Sequence, residues 1–364
     1  MSEIICACCH CELTEDTGFW FDEDFYCQDC LDDQTCLCDH CGRRIWNDDN
    51  AGNSERPLCD DCYEDYYTTC EECGRIIHCD DAEYDDYENS YCCNCYNESS
   101  IHDYSYKPSP IFYGDGNRYF GVELDIDVGG KSRSSADKLL YIANYNCENI
   151  YIKSDGSLND GMEIVTHPMS LDYHRNEMPW TKLCEKALDL DYKSHKTTTC
   201  GLHIHVNRTT FGETREIQDE RISRVLYFVE HHWEELLRFS RRSEYTMNRW
   251  AARYGYKNTP KEILEHAKKG CNGRYSCINL QNWDTVEFRM FRGTLKVNTI
   301  IAALELVDLI CQYAMTFDDE EIAKISWTEF VEGIDEEFYP ELITYLKERR
   351  LYINEPVQAE SEDE

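Results

Sequence analysis

Four short segments of this chain set carboxylate, imidazole and guanidinium side chains at every second position. In Phe120-Gly121-Val122-Glu123-Leu124-Asp125-Ile126-Asp127-Val128, the apolar Val122, Leu124, Ile126 and Val128 alternate with Glu123, Asp125 and Asp127. Met162-Glu163-Ile164, Leu202-His203-Ile204-His205-Val206 and Val286-Glu287-Phe288-Arg289-Met290 repeat the pattern. Carboxylates with imidazole and no thiolate are hard ligands, so Glu123, Asp125, Glu163, His203 and Glu287 suit magnesium or manganese better than structural zinc. Arg289, on the same side of its strand as Glu287, and Arg292 are placed to neutralise the oxygens of a transferring phosphoryl group. The chemistry these residues describe is metal-assisted work on a phosphate, most naturally ATP. Gly114, Gly116 and Gly121 lack the spacing of a dinucleotide fingerprint, and the chain has neither a Walker sequence nor a kinase-type glycine loop. Nucleotide binding then falls to the sheet itself.

Other residues are weighed against plainer roles. Asp155, in Ser154-Asp155-Gly156-Ser157, fits an Asx turn or a supporting catalytic position equally well. Alternation sets His203 and His205 together on the polar face, for ligation or phosphate contact. Arg274, Tyr275 and Asn279 precede the Glu287 strand and suit nucleotide or substrate contact, or simply a hairpin surface. Asp127 reads as a solvated carboxylate, Cys200 as a packed thiol, and His231-His232 as ordinary helix residues.

Positioning such residues takes a sheet with one apolar face. Strands are expected near 118–128, 149–153, 162–167, 200–207, 275–282 and 285–291, and helices near 133–145, 172–190, 217–240, 297–316 and 326–350. One-sided strands with helices on their apolar face give an α+β domain around an antiparallel sheet, over residues 117–350.

The front of the chain is different in kind. Of 23 cysteines, 17 precede residue 100, in a stretch with 27 Asp and Glu against four Arg and no Lys. Cys6/Cys9 with Cys27/Cys30, Cys38/Cys41 with Cys59/Cys62, and Cys70/Cys73 with Cys92/Cys95 form three C-x2-C-x17-C-x2-C units, the third one residue longer. Cys8 and Cys11 make a competing pair, but only Cys6 and Cys9 obey the 32-residue repeat. Each unit can wrap a tetrahedral zinc with four thiolates, and segments this short draw folding free energy from the metal. Zinc-ribbon-like repeats are expected over 1–98, a Ser-, Tyr- and Pro-containing linker over 99–116, and an acidic tail over 351–364. Such acidity repels phosphate backbones and anionic membranes, and favours a basic protein partner for the repeats. Neither a signal-peptide pattern nor an 18-residue apolar stretch is found, so a cytoplasmic protein is expected, in which paired cysteines hold metal rather than disulfides.

Gly121-Val122-Glu123-Leu124-Asp125, Ser154-Asp155-Gly156-Ser157 with Glu163, Gly201-Leu202-His203-Ile204-His205-Val206, and Thr285-Val286-Glu287-Phe288-Arg289 with Gly293-Thr294-Leu295 resemble, in order, the motifs of the amidoligases. That family is similar to the carboxylate–amine ligases of the glutamine synthetase fold, and the resemblance spans residues 117–315. It implies a glutamine synthetase-like antiparallel sheet. It also implies one magnesium on Glu123, His203 and Glu287, another near Asp125 and Glu163, phosphate contact by His205, and Arg289 near the γ-phosphate. Where the motif usually reads Glu-x-Glu, this chain has Glu123-x-Asp125. The expected activity is ATP-dependent joining of a carboxylate to an amine, on a peptide or small substrate, through an acyl phosphate. A metal-dependent hydrolase on the same floor and a non-catalytic zinc-binding adaptor are the alternatives.

Overall fold

The computed structural model describes residues 4–84, 88–97, 100–270 and 273–352, and the acidic tail beyond Tyr352 lies outside the described residues. The chain divides into two compact units, Met1–Ser99 and Ser100–Glu364.

The first unit repeats one device three times. Short hairpins pair Ile4–Ile5 with Glu12–Leu13, Thr35–Leu37 with Arg44–Trp46, and Tyr67–Thr69 with Ile76–His78. In each, a cysteine carbonyl accepts from a residue four positions on: His10 N–H to Cys6, Gly42 to Cys38 and Gly74 to Cys70, at 3.0, 2.8 and 2.9 Å. The turn needs a left-handed residue, and Gly42 and Gly74 supply it at φ 72° and 70°. His10 takes the same place at φ 60°, which marks Cys6 and Cys9 as the repeat-equivalent pair. The second cysteine pair of each unit lies at the start of a short helix: Gln28–Gln34, Asp60–Tyr66 and Cys93–Asn97. Their apolar clusters are tiny, such as Tyr26 and Leu31 about Cys6, or Ile45 and Leu58 about Cys38. So little apolar burial contributes little stability by itself.

The second unit holds a six-stranded sheet: β1 Phe120–Ile126, β2 Ile150–Lys153, β3 Met162–Thr166, β4 Gly201–Asn207, β5 Ile278–Asn279 and β6 Thr285–Arg292. Its order is β2-β3-β1-β4-β6-β5, with every neighbour antiparallel. Val122, Leu124, Ile164, Ile204, Val286 and Phe288 project from one face into the main core. There they meet the helices α1 Arg133–Ala143, α2 Trp180–Asp189, α3 Arg215–His231 and α4 Val297–Thr316. The fold is α+β, with helices on one face of an antiparallel sheet.

Several expectations are corrected. Residues 100–113 are no linker: His102 N–H donates to Ile152 O and Ser154 N–H to His102 O, both at 2.8 Å, so this segment covers the β2 edge. Tyr113 N–H likewise donates to Pro168 O at 3.0 Å. The helix expected over 172–190 breaks at Pro179, leaving Leu171–Asn176 ahead of α2. The one expected over 217–240 breaks at His232, and the second piece is α5 Trp233–Ser240. Contrary to the expectation of no long apolar stretch, α4 is 20 residues long and apolar enough to cross a membrane by length and composition alone. Most of it is buried in the core of this unit, where Glu305 accepts from Arg175 and Leu342 N–H.

Candidate functional site

The face of the sheet opposite the core carries the charged residues, and strand register sets them beside one another. Glu123 on β1 lies opposite His203 on β4, and His205 lies opposite Glu287 on β6. Asp125 lies opposite Glu163 on β3, which lies opposite Lys153 on β2. Two groups of potential ligands result: Glu123, His203 and Glu287, and beside them Asp125, Asp155 and Glu163, with donor atoms in each group within 4.8 Å of one another.

In the first group, His203 Nδ1 stands 3.3 Å from Glu123 Oε2 and 3.6 Å from Glu287 Oε1, and His205 Nε2 stands 3.1 Å from Glu123 Oε1. Burial alone would raise both carboxyls, but His205 and His203 hold Glu123 well below the usual range, and His205 with Arg289 brings Glu287 down. Burial opposes charge on His205, yet Glu123 and Glu287 raise its pKa. Glu287 is braced besides: its Oε2 accepts from Asn279 Nδ2 at 2.8 Å and Asn282 Nδ2 at 3.2 Å, and its Oε1 from Arg289. The second group behaves oppositely. Burial, reinforced by Asp155, pushes Asp125 up to about 6, and burial with Glu123 and Asp125 drives Glu163 well above its usual value. Asp125 Oδ2 accepts from Gly201 N–H at 2.8 Å, while Oδ1 is buried with no hydrogen bond. Glu163 Oε2 also lacks one, although Lys153 Nζ is 3.3 Å away. Asp155 makes the Asx turn, its Oδ1 accepting from Ser157 N–H at 2.7 Å, and its carboxylate joins this group. Buried carboxylate oxygens without donors are what a hard divalent cation would complete, so the donor set fits magnesium.

These residues line a cavity of about 530 Å³. Arg274 and Tyr275 stand in its wall, where the Arg274 guanidinium lies over the rings of Tyr104 and Tyr275 and hydrogen-bonds both hydroxyls. Lys153, Arg242, Trp250 and Tyr104 also line it, and sequence reasoning missed all four. Lys153 was legible, being two residues from Tyr151 on the polar side of β2. Arg242 follows α5 and Trp250 lies in another helix, neither with any periodic signal, and Tyr104 sits in the supposed linker.

Arg292 lies elsewhere. The β4–β6 register slips between Leu202–Phe291 and Ile204–Phe288, an extra residue on β6 that carries Arg292 opposite Gly201 at the far end of the face. There it lines a neighbouring cavity and not the one holding the carboxylates. Asp127 is also corrected: far from solvated, it is fully buried and accepts from Asp160 N–H, Val128 N–H and the Thr199 hydroxyl at 2.7, 2.8 and 2.8 Å, fastening the loops at the end of β1.

The first unit gathers three cysteine groups. Cys38, Cys41, Cys59 and Cys62 form one, and Cys70, Cys73, Cys92 and Cys95 another. The remaining group differs from the repeat, for it consists of Cys6, Cys9, Cys11 and Cys27, with the Cys30 thiol beside Cys27 and Cys9. Cys11 occupies the place of Arg43 and Arg75 in the other units and Cys8 also stands beside Cys30, so more thiols crowd here than the four of the other units. Sulfur pairs at 3.8 Å (Cys9–Cys27), 3.9 Å (Cys41–Cys59) and 3.8 Å (Cys73–Cys92) match the edge of a tetrahedron whose metal–sulfur bonds are about 2.3 Å. Burial would raise Cys6, Cys38 and Cys70, yet backbone N–H groups bring each down to about 6, toward the thiolate that ligates metal.

Residues 96–311 match the family model described as "Putative amidoligase enzyme". No curated protein matches the chain. Among solved structures, a bifunctional glutathione synthetase from Pasteurella multocida is similar at 14% identity and a TM-score of 0.36, over 64% of this chain and 46% of that one.

Proposed function

The chain belongs to the amidoligase family, and on that premise we propose that its second unit is an ATP- and magnesium-dependent ligase that joins a carboxylate to an amine through an acyl phosphate. The observation that carries this reading is the pair of adjacent hard-ligand groups on one sheet face, with Arg289 on the same strand as Glu287. Glu123, His203 and Glu287 would hold one magnesium, and Asp125, Asp155 and Glu163 another. When bound, the ions would neutralise phosphate charge and align the γ-phosphate.

The protein's own groups supply the rest. His205 and the Arg289 guanidinium line the same cavity, where they would stabilise charge on the transferring phosphoryl oxygens. The Arg274, Tyr104 and Tyr275 cluster offers flat surfaces for a nucleotide base. A substrate carboxylate oxygen attacks the γ-phosphorus as the bond to the ADP oxygen breaks. The amine nitrogen then attacks the acyl carbon, phosphate departs, and the nitrogen gives up its proton. In the first unit, we propose three structural zinc sites on the cysteine groups, and an acidic surface that recruits a basic protein partner.

Glu123→Gln and Glu287→Gln test the reading, since each removes a charge while keeping volume. Each should lower amide-coupled ATP consumption by about a hundredfold or more. ADP must also form in proportion to amide. Amide bond cleavage without ATP would make the enzyme a hydrolase, and near-normal ATP consumption by either variant would refute the metal assignment.

A further inference from the structure

Next to the carboxylate floor lies a second cavity of about 710 Å³ whose lining has the opposite charge. Arg238, Arg241, Arg242, Arg292 and Arg349 converge on it. The chain has 72 acidic residues and 36 basic ones, so a carboxylate partner is easily found. Yet among the described residues none of these five arginines has an acidic group within the 4.0 Å of an ion pair. Two are fixed in place through carbonyls instead. Arg349 donates through Nε and Nη2 to Arg238 O at 3.1 and 2.9 Å, and Arg242 donates through Nε to Phe291 O at 3.1 Å. Five arginines lining one cavity without an acidic partner, in an acidic protein, suit an external anion.

The cavity is continuous in its lining with the candidate active site. Arg242 lines both, and its Nη2 reaches so close over Gly201 that a Cβ there would lie 2.7 Å from it and 2.6 Å from His203 Nε2. A ligand spanning the two would have one end among the arginines and the other beside the metal ligands. The anion's class follows from the rest of the lining. Glu234 and Glu235, on the first turn of α5, also face the cavity. They are acceptors that a ligand with N–H groups can use and a polyphosphate cannot, and the hard-ligand groups that a polyphosphate needs are all in the other cavity. A peptide satisfies both signs, its carboxylates taken by the arginines and its N–H groups by the glutamates.

We propose that this cavity binds the anionic flank of a polycarboxylate substrate, an acidic peptide, while the reacting carboxylate lies among the residues of the adjoining floor. The proposal deepens the ligase reading and rests on it for the second half of that sentence.

Titration calorimetry of the full chain with tetraglutamate and tetraglutamine tests it. Tetraglutamate should bind, more weakly as salt rises, and tetraglutamine should not. Arg238→Gln combined with Arg292→Gln should weaken tetraglutamate binding about tenfold and leave the affinity for magnesium-ATP within twofold. Arg238→Lys keeps the charge at an exposed position and should retain most of the binding, whereas Arg238→Glu should lose more than Arg238→Gln. An unchanged unfolding midpoint shows that a variant is folded. Absence of tetraglutamate binding by the unaltered chain, equal binding of tetraglutamine, or full binding by the double variant would overturn the proposal. So would loss of magnesium-ATP binding with tetraglutamate binding kept, which would give the arginines to the nucleotide. Failure of the unaltered chain to bind magnesium-ATP, with tetraglutamate binding intact, would strike the ligase reading alone.

Discussion

Residues 100–113 decide where the second unit can be cut. A fragment beginning at Ser100 keeps the segment along β2, and one beginning at Ser109 loses the backbone bonds His102 N–H to Ile152 O and Ser154 N–H to His102 O. It also loses Ile101 from the edge of the core and the Tyr104 ring under Lys153 Nζ and the Arg274 guanidinium, at 5.1 and 5.4 Å. Two backbone hydrogen bonds contribute about 1 kcal/mol each. Two partly exposed cation–π contacts add about 0.5 kcal/mol each, and partial burial of Ile101 adds about 1 kcal/mol. Together these come to about 4 kcal/mol. For a unit of this size each kcal/mol shifts the midpoint by about 2–4 °C, so the shorter fragment should melt about 8–16 °C lower. It should also bind magnesium-ATP more weakly, because Tyr104, Ser105 and Lys107 line the cavity. Thermal unfolding followed by circular dichroism, with calorimetry for the nucleotide, measures both. Fragments that melt within 2 °C of one another and bind ATP equally would show that the segment is a passive tether.

Three further outcomes are expected. Elemental analysis of metal-replete protein should return about three zinc ions per chain, one for each cysteine group; zinc near zero, or thiol titration showing disulfides, would refute this. Asp125 is raised from the ordinary 3.8 to about 6 in the folded, metal-free protein, so folding takes up a proton between those values and the metal-free protein loses stability as pH rises through them. Magnesium must displace that proton, and Glu163, raised as well, adds to the effect, so its affinity should rise at least about fourfold from pH 5.5 to 7.5, and a flat calorimetric profile would contradict the assignment. Asp125→Glu should weaken magnesium about tenfold, because the longer side chain gives up the 2.8 Å bond from Gly201 N–H and crowds Asp155 and Glu163; equal or tighter binding would refute the argument.

Period-two alternation made most of the floor legible, because a strand with one buried face leaves its side chains only two directions. Glu123, Asp125, Glu163, His203, His205, Glu287 and Arg289 need nothing beyond it to be grouped. Arg292 was misplaced because it lies three residues beyond Arg289 along β6 and reaches the neighbouring cavity, and the bulge that sets it opposite Gly201 is a property of pairing that leaves no trace in one strand's own pattern. Asp127 was misjudged for a related reason. The strand ends at Ile126, and past that point burial depends on the loops at 159–160 and Thr199 that fold over it. The walls were the least legible part. Arg242, Trp250 and Tyr104 come from helix ends and a coil segment that only tertiary packing brings to the floor. In the front unit the spacing arithmetic found every repeat, but counting could not reveal that Cys11 returns on the hairpin to stand among the first group.

The floor's charges follow one division that bears on how the site would load. Glu123 and Glu287 face histidines and an arginine, which favour their ionised forms, whereas Asp125 and Glu163 face mainly burial and other carboxylates, which favour protons. Five carboxyl groups this close cannot all be charged without compensating cations, so the protein leaves part of the charge unexpressed until a ligand arrives. On the proposed reading, the Glu123–His203–Glu287 group is ready for metal at neutral pH, while the Asp125–Asp155–Glu163 group must first release a proton. Lys153, 3.3 Å from Glu163, offsets part of that cost without filling the ligand positions, since Asp125 Oδ1 and Glu163 Oε2 keep no hydrogen bond. The shorter Asp125, in place of the usual glutamate, fits this division. Braced by the Gly201 N–H through one oxygen, it has a single free oxygen to offer a second metal.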